Sequence, residues 1–176
     1  MNQLTKLDNA IFNWIAKHPQ IQQDLTLPRL FKLISKTGDG HLYAFLAFTL
    51  LVLETRSGEL FFVLSAVAFS IEIPLYIALK RSCKRLRPCD TFTHFNALIQ
   101  PADKFSLPSG HTAAAFLIAT IIAFVYPEFA VFSYLWAGLI GISRIVLKVH
   151  FALDVLVGAI LGICVANFSI YYFGNF

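Results

Sequence analysis

The sequence predicts an all-α integral membrane protein, a bundle of about five transmembrane helices preceded by N-terminal amphipathic helices. Of its 176 residues, 57% are hydrophobic and only 14% are charged. Soluble domains carry nearer a quarter of charged residues, so this composition indicates a chain that lies in a lipid bilayer. The apolar residues also gather into separate segments joined by short turns, with one longer polar stretch between them.

Two short amphipathic helices are predicted ahead of the bundle. Residues 4–17 place apolar side chains, among them Phe12 and Trp14, largely on one side of a helix. The polar residues, including Asp8, lie mostly elsewhere. This pattern is typical of a helix at the membrane interface rather than of one that spans the bilayer. Residues 27–35 predict a second short helix that partly inserts.

Each of the apolar segments that follow is expected to cross the bilayer. They are roughly 41–54, 59–79, 112–126, 129–147 and 151–173. A bilayer core needs about 20 apolar residues, so the first and third segments must recruit flanking residues. With this number of crossings, the polar stretch at 80–110 and the link at 144–150 fall on the same face of the membrane.

Two glycine patterns within these segments predict places where helices pack closely. They are Gly138-x2-Gly141 and Gly158-x3-Gly162. Small residues let the backbones of membrane helices approach one another, so we expect packing roles for these glycines rather than chemical ones.

Three motifs place titratable residues beside the ends of the apolar segments. They are Lys80-x6-Arg87-Pro88, Pro108-Ser109-Gly110-His111 and Ser143-Arg144-x5-His150-x3-Asp154. Lys and Arg bind phosphate oxygens, a histidine can attack phosphorus, and a carboxylate can orient that histidine. Because the predicted topology puts all three motifs on one face, they are expected to form a single site for phosphoryl chemistry.

The two histidines of the motifs suit different tasks. His150 and Asp154 would share a face if they lay on one helix, and the carboxylate would then leave one imidazole nitrogen unprotonated. The alternative is a buried His–Asp pair that only fixes a helix end, and Arg144 just upstream favours the functional interpretation. His111 stands where it can protonate a leaving oxygen. Its alternative is a capping or surface histidine.

The counter-charge for a phosphate is expected to come from side chains. Lys80, Arg87 and Arg144 can neutralise the phosphate oxygens, and the helix start at Ser109-Gly110 offers backbone N–H groups and a hydroxyl. Magnesium would need well-placed carboxylates. The loops carry separate aspartates but no acidic cluster, so neither a metal nor another cofactor is expected. The remaining cations of the first motif, Arg81, Lys84 and Arg85, are interpreted as lipid-attracted side chains.

Taken together, the ordered motifs resemble the signature of the type 2 phosphatidic acid phosphatase family, membrane phosphatases related to vanadium haloperoxidases. The resemblance covers about residues 39–162 and departs at Leu107, where phenylalanine is more usual. It implies that His150 is a nucleophile forming a phosphohistidine, that Asp154 orients it, and that His111 is the general acid. The residues that it implies for phosphate binding are Lys80, Arg87, Ser109, Gly110 and Arg144.

The resemblance also implies an organisation and a substrate class. A single membrane phosphatase domain would cover residues 1–176, with interfacial helices in 1–36 and the catalytic helix bundle in 37–176. The substrate would be a lipid phosphate monoester or an isoprenoid diphosphate such as undecaprenyl diphosphate. Two alternatives stay open: phosphate transfer to a lipid acceptor at the same site, and a non-catalytic protein for lipid binding or transport. No nucleic-acid-binding motif is present, and the sequence leaves the oligomeric state open.

The charge distribution and the resemblance disagree about which membrane face carries the site. Every Lys and Arg except Arg56 falls on the site's face, which the positive-inside rule would make cytoplasmic. The resemblance implies the extracytoplasmic face of the cytoplasmic (inner) membrane. We expect the second arrangement, because several of these cations have a substrate to bind.

Overall fold

The structure, a computed structural model, describes residues 3–18, 26–53, 56–92, 95–101 and 103–174. The all-α class predicted from the sequence is confirmed. In chain order the helices are α1 (Gln3–Ala16), α2 (Thr26–Lys36), α3 (Gly40–Leu53), α4 (Arg56–Cys83), α5 (Pro88–Thr91), α6 (Gly110–Val125), α7 (Ala130–Val146) and α8 (Ala152–Phe173). A 3₁₀ turn, Pro127–Phe129, precedes α7.

The predicted apolar segments correspond to α3, α4, α6, α7 and α8. By length and composition, three stretches of the described chain can cross a bilayer: Arg56–Thr91, Pro127–Val146 and Ala152–Phe173. The helices α3 and α6 are apolar but have only 14 and 16 residues. At 1.5 Å per residue they are ~21 and ~24 Å long, short of the ~30 Å bilayer core. These are the two segments for which the sequence predicted a need for flanking residues.

Helix α6 packs against α4, α7 and α8, and glycines bring α8 closest to it. A Cβ atom at Gly162 would lie 2.1 Å from the carbonyl oxygen of Ala113. One at Gly158 would lie 2.5 Å from the carbonyl oxygen of Ser109. No side chain fits at either position, so the prediction of close packing at Gly158-x3-Gly162 is confirmed.

The second glycine pattern divides into one packing position and one open position. A Cβ atom at Gly141 would lie 2.8 Å from Cγ1 of Val155, so α7 approaches α8 there. A Cβ atom at Gly138 would meet no described atom within 4 Å. The prediction of a packing role for Gly138 was therefore wrong, because this residue is turned away from the neighbouring described helices.

Helix α1 has one apolar side that docks on the bundle and another that is exposed. Phe12 is fully buried, and its ring lies 5.4 to 5.7 Å from the rings of Phe92, Phe95 and Phe151. Trp14, by contrast, is 74% exposed. Of the apolar residues predicted to lie on one side of this helix, Phe12 therefore docks on the bundle, whereas Leu7, Ile11 and Trp14 form an exposed apolar face.

Candidate active site

All the predicted site residues lie at one end of the bundle. That end is formed where α4 and α7 finish and where α6 and α8 begin. In chain order the residues are Lys80, Arg87, Ser109, Gly110, His111, Arg144, His150 and Asp154. Most of them are buried. Buried polar groups require partners, so their contacts define what the site can do.

The two ring nitrogens of His150 face different surroundings. This residue lies in the link between α7 and α8, not on one helix with Asp154 as the sequence predicted, because α8 begins only at Ala152. Its Nδ1 is 3.3 Å from Oγ of Ser106 and 3.7 Å from Oδ2 of Asp154. Its Nε2 is 3.3 Å from Nη1 of Arg87. The ring therefore has an acidic side at Nδ1 and a cationic side at Nε2.

Burial keeps the His150 imidazole neutral. The residue is 2% exposed, and this desolvation lowers its pKa from 6.5 to about 4. The Asp154 carboxylate favours the protonated form, but its 3.7 Å separation is longer than a hydrogen bond and does not outweigh burial. A neutral imidazole carries one proton and one lone pair. With the proton on Nδ1, beside the carboxylate, the lone pair on Nε2 points toward the cations.

Asp154 is held in place by donors from three directions. Its carboxylate accepts hydrogen bonds from Oγ of Ser106 at 2.5 Å, the backbone N–H of Phe151 at 2.8 Å and Nη1 of Arg85 at 2.8 Å. It stands in the first turn of α8, where the helix dipole favours a negative charge. Its carbonyl oxygen accepts the N–H of Ser109 at 3.0 Å, which ties the start of α8 to the start of α6.

Ser109 is engaged differently from the sequence prediction, in which both its N–H and its hydroxyl bind phosphate. Its N–H donates to Asp154, and its Oγ lies 2.8 Å from Oγ1 of Thr112. The N–H is therefore committed to the protein. The next N–H groups of α6, at Gly110 and His111, belong to the first helical turn, which has no intrahelical acceptors. The anion-binding capacity of this helix start thus rests mainly on them.

Lys80 and Arg87 share a single carboxylate, that of Asp103. Its Oδ2 accepts Nζ of Lys80 at 2.7 Å and the hydroxyl of Tyr76 at 2.8 Å, and Lys80 also hydrogen-bonds Tyr76. Its Oδ1 accepts Nη2 of Arg87 at 2.8 Å. The guanidinium is fixed further by the carbonyl oxygens of Asp103 and Val149. From the sequence, Asp103 is only one of the separate aspartates of the loops, with no predicted contact to either cation.

Arg144 and His111 meet at a cavity of about 240 Å³ at the mouth of the site. Nη1 of Arg144 donates to Oγ of Ser35 at 2.5 Å, while its buried Nε has no hydrogen-bond partner among the described residues. Nε2 of His111 lies 2.9 Å from Oδ1 of Asp39. The other residues that line the cavity are Lys32, Lys36, Ile99 and Gln100. A cavity with these walls suits an anion that accepts from Arg144.

Arg85 is a partner of Asp154, not the lipid-attracted cation that the sequence predicted. Its two terminal nitrogens donate to Asp154 at 2.8 Å and to Asp8 of α1 at 2.5 Å, and its guanidinium stacks 4.3 Å from the Phe151 ring. Asp8 in turn accepts the N–H of Leu153 at 3.0 Å. The prediction was wrong because the spacing of the first motif gives no information about α1, which supplies the second partner.

We expect Arg85→Gln to lower both stability and turnover. The substitution leaves the carboxylates of Asp8 and Asp154 without their cation, which typically costs about 1–3 kcal/mol for a buried acceptor. A misplaced Asp154 would also lower kcat by on the order of 10- to 100-fold. Thermal unfolding and kcat in detergent measure the two effects. Arg81→Gln, which removes an exposed cation from the end of α4, is the matched control and should change neither.

Ser106 is another residue of the site that the sequence did not reveal. Its fully buried hydroxyl donates to Asp154 and lies within 3.3 Å of His150, and its N–H donates to the carbonyl of Arg85 at 2.8 Å. A serine three residues before Ser109 in a polar stretch has no distinctive pattern. Tyr76, by contrast, stands four residues before Lys80, a helical spacing that could have indicated their contact.

A largely apolar groove of about 530 Å³ opens beside His111. Its walls come from α3, α4 and the start of α6, and its polar lining residues include Asp39 and Tyr76. Glu72 also lines it and is buried. The remaining walls are mostly apolar and include Phe62 and Phe69. Because Asp39 and His111 line both spaces, the groove adjoins the cavity at Arg144, and its walls suit a hydrocarbon chain.

Comparisons with known proteins agree with this fold. Residues 56–176 match the PAP2 superfamily. Over 92 residues the chain is 42% identical to lipid A 1-phosphatase of Porphyromonas gingivalis, covering 50% of this chain and 18% of that protein. Over 115 residues it is 30% identical to the bacitracin transport permease protein BcrC of Bacillus licheniformis, covering 65% of this chain and 57% of that one. The chain thus spans less than two thirds of the length of either relative.

Two solved structures share the fold across nearly the whole chain. LpxE of Aquifex aeolicus superposes with a TM-score of 0.80 at 31% identity, over 94% of this chain and 96% of that one. A transmembrane PAP2 type phosphatidylglycerolphosphate phosphatase from Bacillus subtilis superposes with a TM-score of 0.78 at 24% identity, over 99% and 88%.

The helices and these similar structures identify the class of protein, which is an all-α integral membrane protein with a polar site at one end of its bundle. The chain belongs to the PAP2 superfamily, since the family match covers more than half of it. The family that the motifs indicated is therefore confirmed. The match begins later than the predicted resemblance at residue 39 and continues beyond residue 162.

Proposed function

We propose that this protein is a membrane lipid phosphatase in which His150 attacks phosphorus and His111 protonates the leaving oxygen. The orientation of His150 supports this most directly. Its Nδ1 faces Asp154 and Ser106, while its Nε2 faces Arg87, where a phosphate would be bound. A purely structural His–Asp pair would not require a cation beside the outward nitrogen.

The proposed reaction has two steps. In the first, the lone pair of Nε2 of His150 forms a bond to phosphorus and the bond from phosphorus to the lipid oxygen breaks. Burial lowers the pKa of His111 to about 4 in the free protein, so His111 takes up its proton when the phosphate dianion binds beside it, and it then gives that proton to the lipid oxygen. In the second, water loses a proton to His111 and its oxygen displaces His150 from phosphorus. Inorganic phosphate leaves and both histidines return to their starting states. Asp154 stabilises the charge that His150 gains as the phosphohistidine forms.

We propose that fixed cations, without a metal or other cofactor, stabilise the transferring phosphoryl group. Lys80 and Arg87 meet at Asp103. The charges of Arg87 and Arg144 are close enough to interact, and the buried Nε of Arg144 has no hydrogen-bond partner among the described residues. Such preorganised charges act on the equatorial oxygens as magnesium does in other phosphoryl-transfer enzymes. The first N–H groups of α6 add two more donors.

We propose a lipid phosphate monoester or an isoprenoid diphosphate, undecaprenyl diphosphate among them, as the substrate. The groove beside His111 supports a hydrocarbon tail, and the cavity at Arg144 supports the anionic headgroup. The likeness to lipid A 1-phosphatase adds lipid A 1-phosphate to the candidates. Transfer of the phosphoryl group to a lipid acceptor would use the same residues, so the assay must follow both products.

We propose that the site opens on the extracytoplasmic face of the cytoplasmic membrane. Four cations of this face have partners inside the protein, so they say little about orientation by the positive-inside rule. They are Lys80, Arg85, Arg87 and Arg144. Cys83 is exposed at the site's end of α4 and offers a test. In a Cys89→Ser background, a membrane-impermeant maleimide should label Cys83 in intact spheroplasts. Labelling that appears only after lysis would place the site in the cytoplasm.

We further propose that residues 1–176 act as one domain, with 1–36 as interfacial helices and 37–176 as the catalytic bundle. The docking of Phe12 and the pairing of Asp8 with Arg85 support this, because both join α1 to the site end. Removal of α1 would therefore uncover the apolar cluster around Phe95 and Phe151.

A panel of lipid substrates in detergent tests the function. We expect phosphate release from at least one of phosphatidic acid, phosphatidylglycerol phosphate, undecaprenyl diphosphate and lipid A, and we expect it to survive excess EDTA. Glu128→Gln, which changes an exposed carboxylate at the opposite end of the bundle, is a control that should keep the rate. Loss in EDTA with rescue by magnesium would refute the metal-free mechanism. A phosphorylated acceptor lipid without free phosphate would identify a transferase.

A further inference from the structure

Asp103 occupies the positions where a phosphate would bind Lys80 and Arg87. Its two oxygens accept the lysine at 2.7 Å and the guanidinium at 2.8 Å, and its carbonyl oxygen accepts Nε of Arg87 at 3.0 Å. Nη1 of Arg87 is taken up by Val149 and His150. A guanidinium has five N–H donors, and these contacts use four of them. Arg87 therefore cannot donate two hydrogen bonds to a phosphate until its contact with Asp103 breaks.

The carboxylate is the partner of this cluster that can move at least cost. The side chains of Lys80 and Arg87 are 7% and 3% exposed, whereas that of Asp103 is 36% exposed. Lys80 belongs to the end of α4, and Arg87 is fixed at the start of α5. Asp103 lies on the irregular stretch before α6. An incoming anion would therefore displace the carboxylate and leave the cations where they are.

We propose that the Asp103 carboxylate is an internal competitor of phosphate. Its ion pairs with Lys80 and Arg87 break when the substrate phosphate binds these cations, and they form again when the product phosphate leaves. The proposal rests on the proposed function, since it requires a phosphate at these cations. Inorganic phosphate held by Lys80, Arg87 and Arg144 without a competitor would leave slowly. Burial alone would raise the pKa of Asp103, but the hydrogen bonds from Lys80 and Tyr76 outweigh it and hold that pKa below its usual range. The competitor thus stays ionised at neutral pH.

The other role open to this carboxylate is to position the cations for the substrate, and the two roles predict opposite results. A competitor weakens phosphate binding, so its removal should tighten it. A positioning group strengthens binding, so its removal should loosen it. Asp103→Asn keeps the shape of the side chain and removes its charge, which separates these cases.

The experiment compares the binding of inorganic phosphate and of orthovanadate to the detergent-solubilised wild type and to Asp103→Asn by calorimetry. We expect both anions to bind on the order of 10-fold more tightly to the variant. The inhibition constant of phosphate should fall to match, and kcat should fall because product leaves more slowly. Glu128→Gln makes the same charge change at the opposite end of the bundle and should leave both affinities unchanged.

Unchanged or weaker anion binding by Asp103→Asn would overturn the proposal while leaving the phosphatase assignment intact. Binding of neither anion to the wild type or the variant would instead refute the proposed function, because no phosphate site would then exist at these cations. If Asp103→Asn does not fold, Tyr76→Phe carries the test. It removes one donor to Oδ2 of Asp103 and should also tighten phosphate binding, by a smaller factor.

Discussion

His150→Ala is expected to abolish turnover while the protein remains folded. The attacking nitrogen has no substitute nearby, because the side chains around it are Arg87, Ser106 and Asp154. We expect phosphate release to fall by at least about 10⁴-fold, as when a nucleophile is removed from a site whose other groups remain. Release at the wild-type rate from a folded variant would contradict the assignment of His150.

The phosphoenzyme gives a second measurement of the same step. After brief reaction with radiolabelled substrate and denaturing quench, the wild type should carry label that acid removes and base does not, as expected for a phosphorus–nitrogen bond. His150→Ala should carry none. Gel filtration and the thermal unfolding midpoint in detergent check that the variant is folded, since His150 is buried and its truncation leaves a cavity.

His111→Ala is expected to lose activity in a way that depends on the leaving group. A lipid alkoxide is a poor leaving group and needs a proton, and a positioned general acid typically contributes about 10²- to 10⁴-fold. The p-nitrophenolate ion leaves readily without a proton. The variant should therefore lose much more activity on a lipid phosphate than on p-nitrophenyl phosphate, provided that the protein accepts the second substrate.

His150→Ala serves as the reference for this comparison, because loss of the nucleophile should affect both substrates equally. Orthovanadate inhibition of His111→Ala adds a control for binding. If the variant still binds vanadate, the loss on lipid reflects protonation rather than a weakened phosphate site. Equal losses on both substrates would mean that His111 binds phosphate and does not protonate the leaving oxygen.

The sequence predicts the fold well wherever a membrane imposes a simple rule. The apolar runs predicted at 129–147 and 151–173 became α7 and α8 with ends within one residue. The run at 59–79 became the longer Arg56–Cys83, because hydropathy falls at Lys80 while the backbone hydrogen bonds of α4 continue. Hydropathy reports where lipid contact ends, and a helix can extend into the polar interface.

The site was predictable where its residues stand in one motif, and not where they meet across the chain. Asp8 and Arg85 are 77 residues apart and Lys80 and Asp103 are 23 apart, and neither pair follows a helical spacing. Their contacts arise from tertiary packing, namely the docking of α1 and the course of the polar stretch before α6. The motifs therefore indicated which groups meet at this end of the bundle, but not which groups hold them.

The close contact between α6 and α8 limits how a lipid can reach the site. The two backbones touch at Gly162 and Ala113, and the hydrogen bond from Ser109 to Asp154 ties their ends. They cannot separate without breaking that bond and opening a void. Helix α3 packs chiefly on α4 and forms one wall of the apolar groove. We therefore expect lateral diffusion of a lipid into the site to require an outward tilt of α3 in the plane of the bilayer. The pair of helices α6 and α8 should keep its arrangement during this motion.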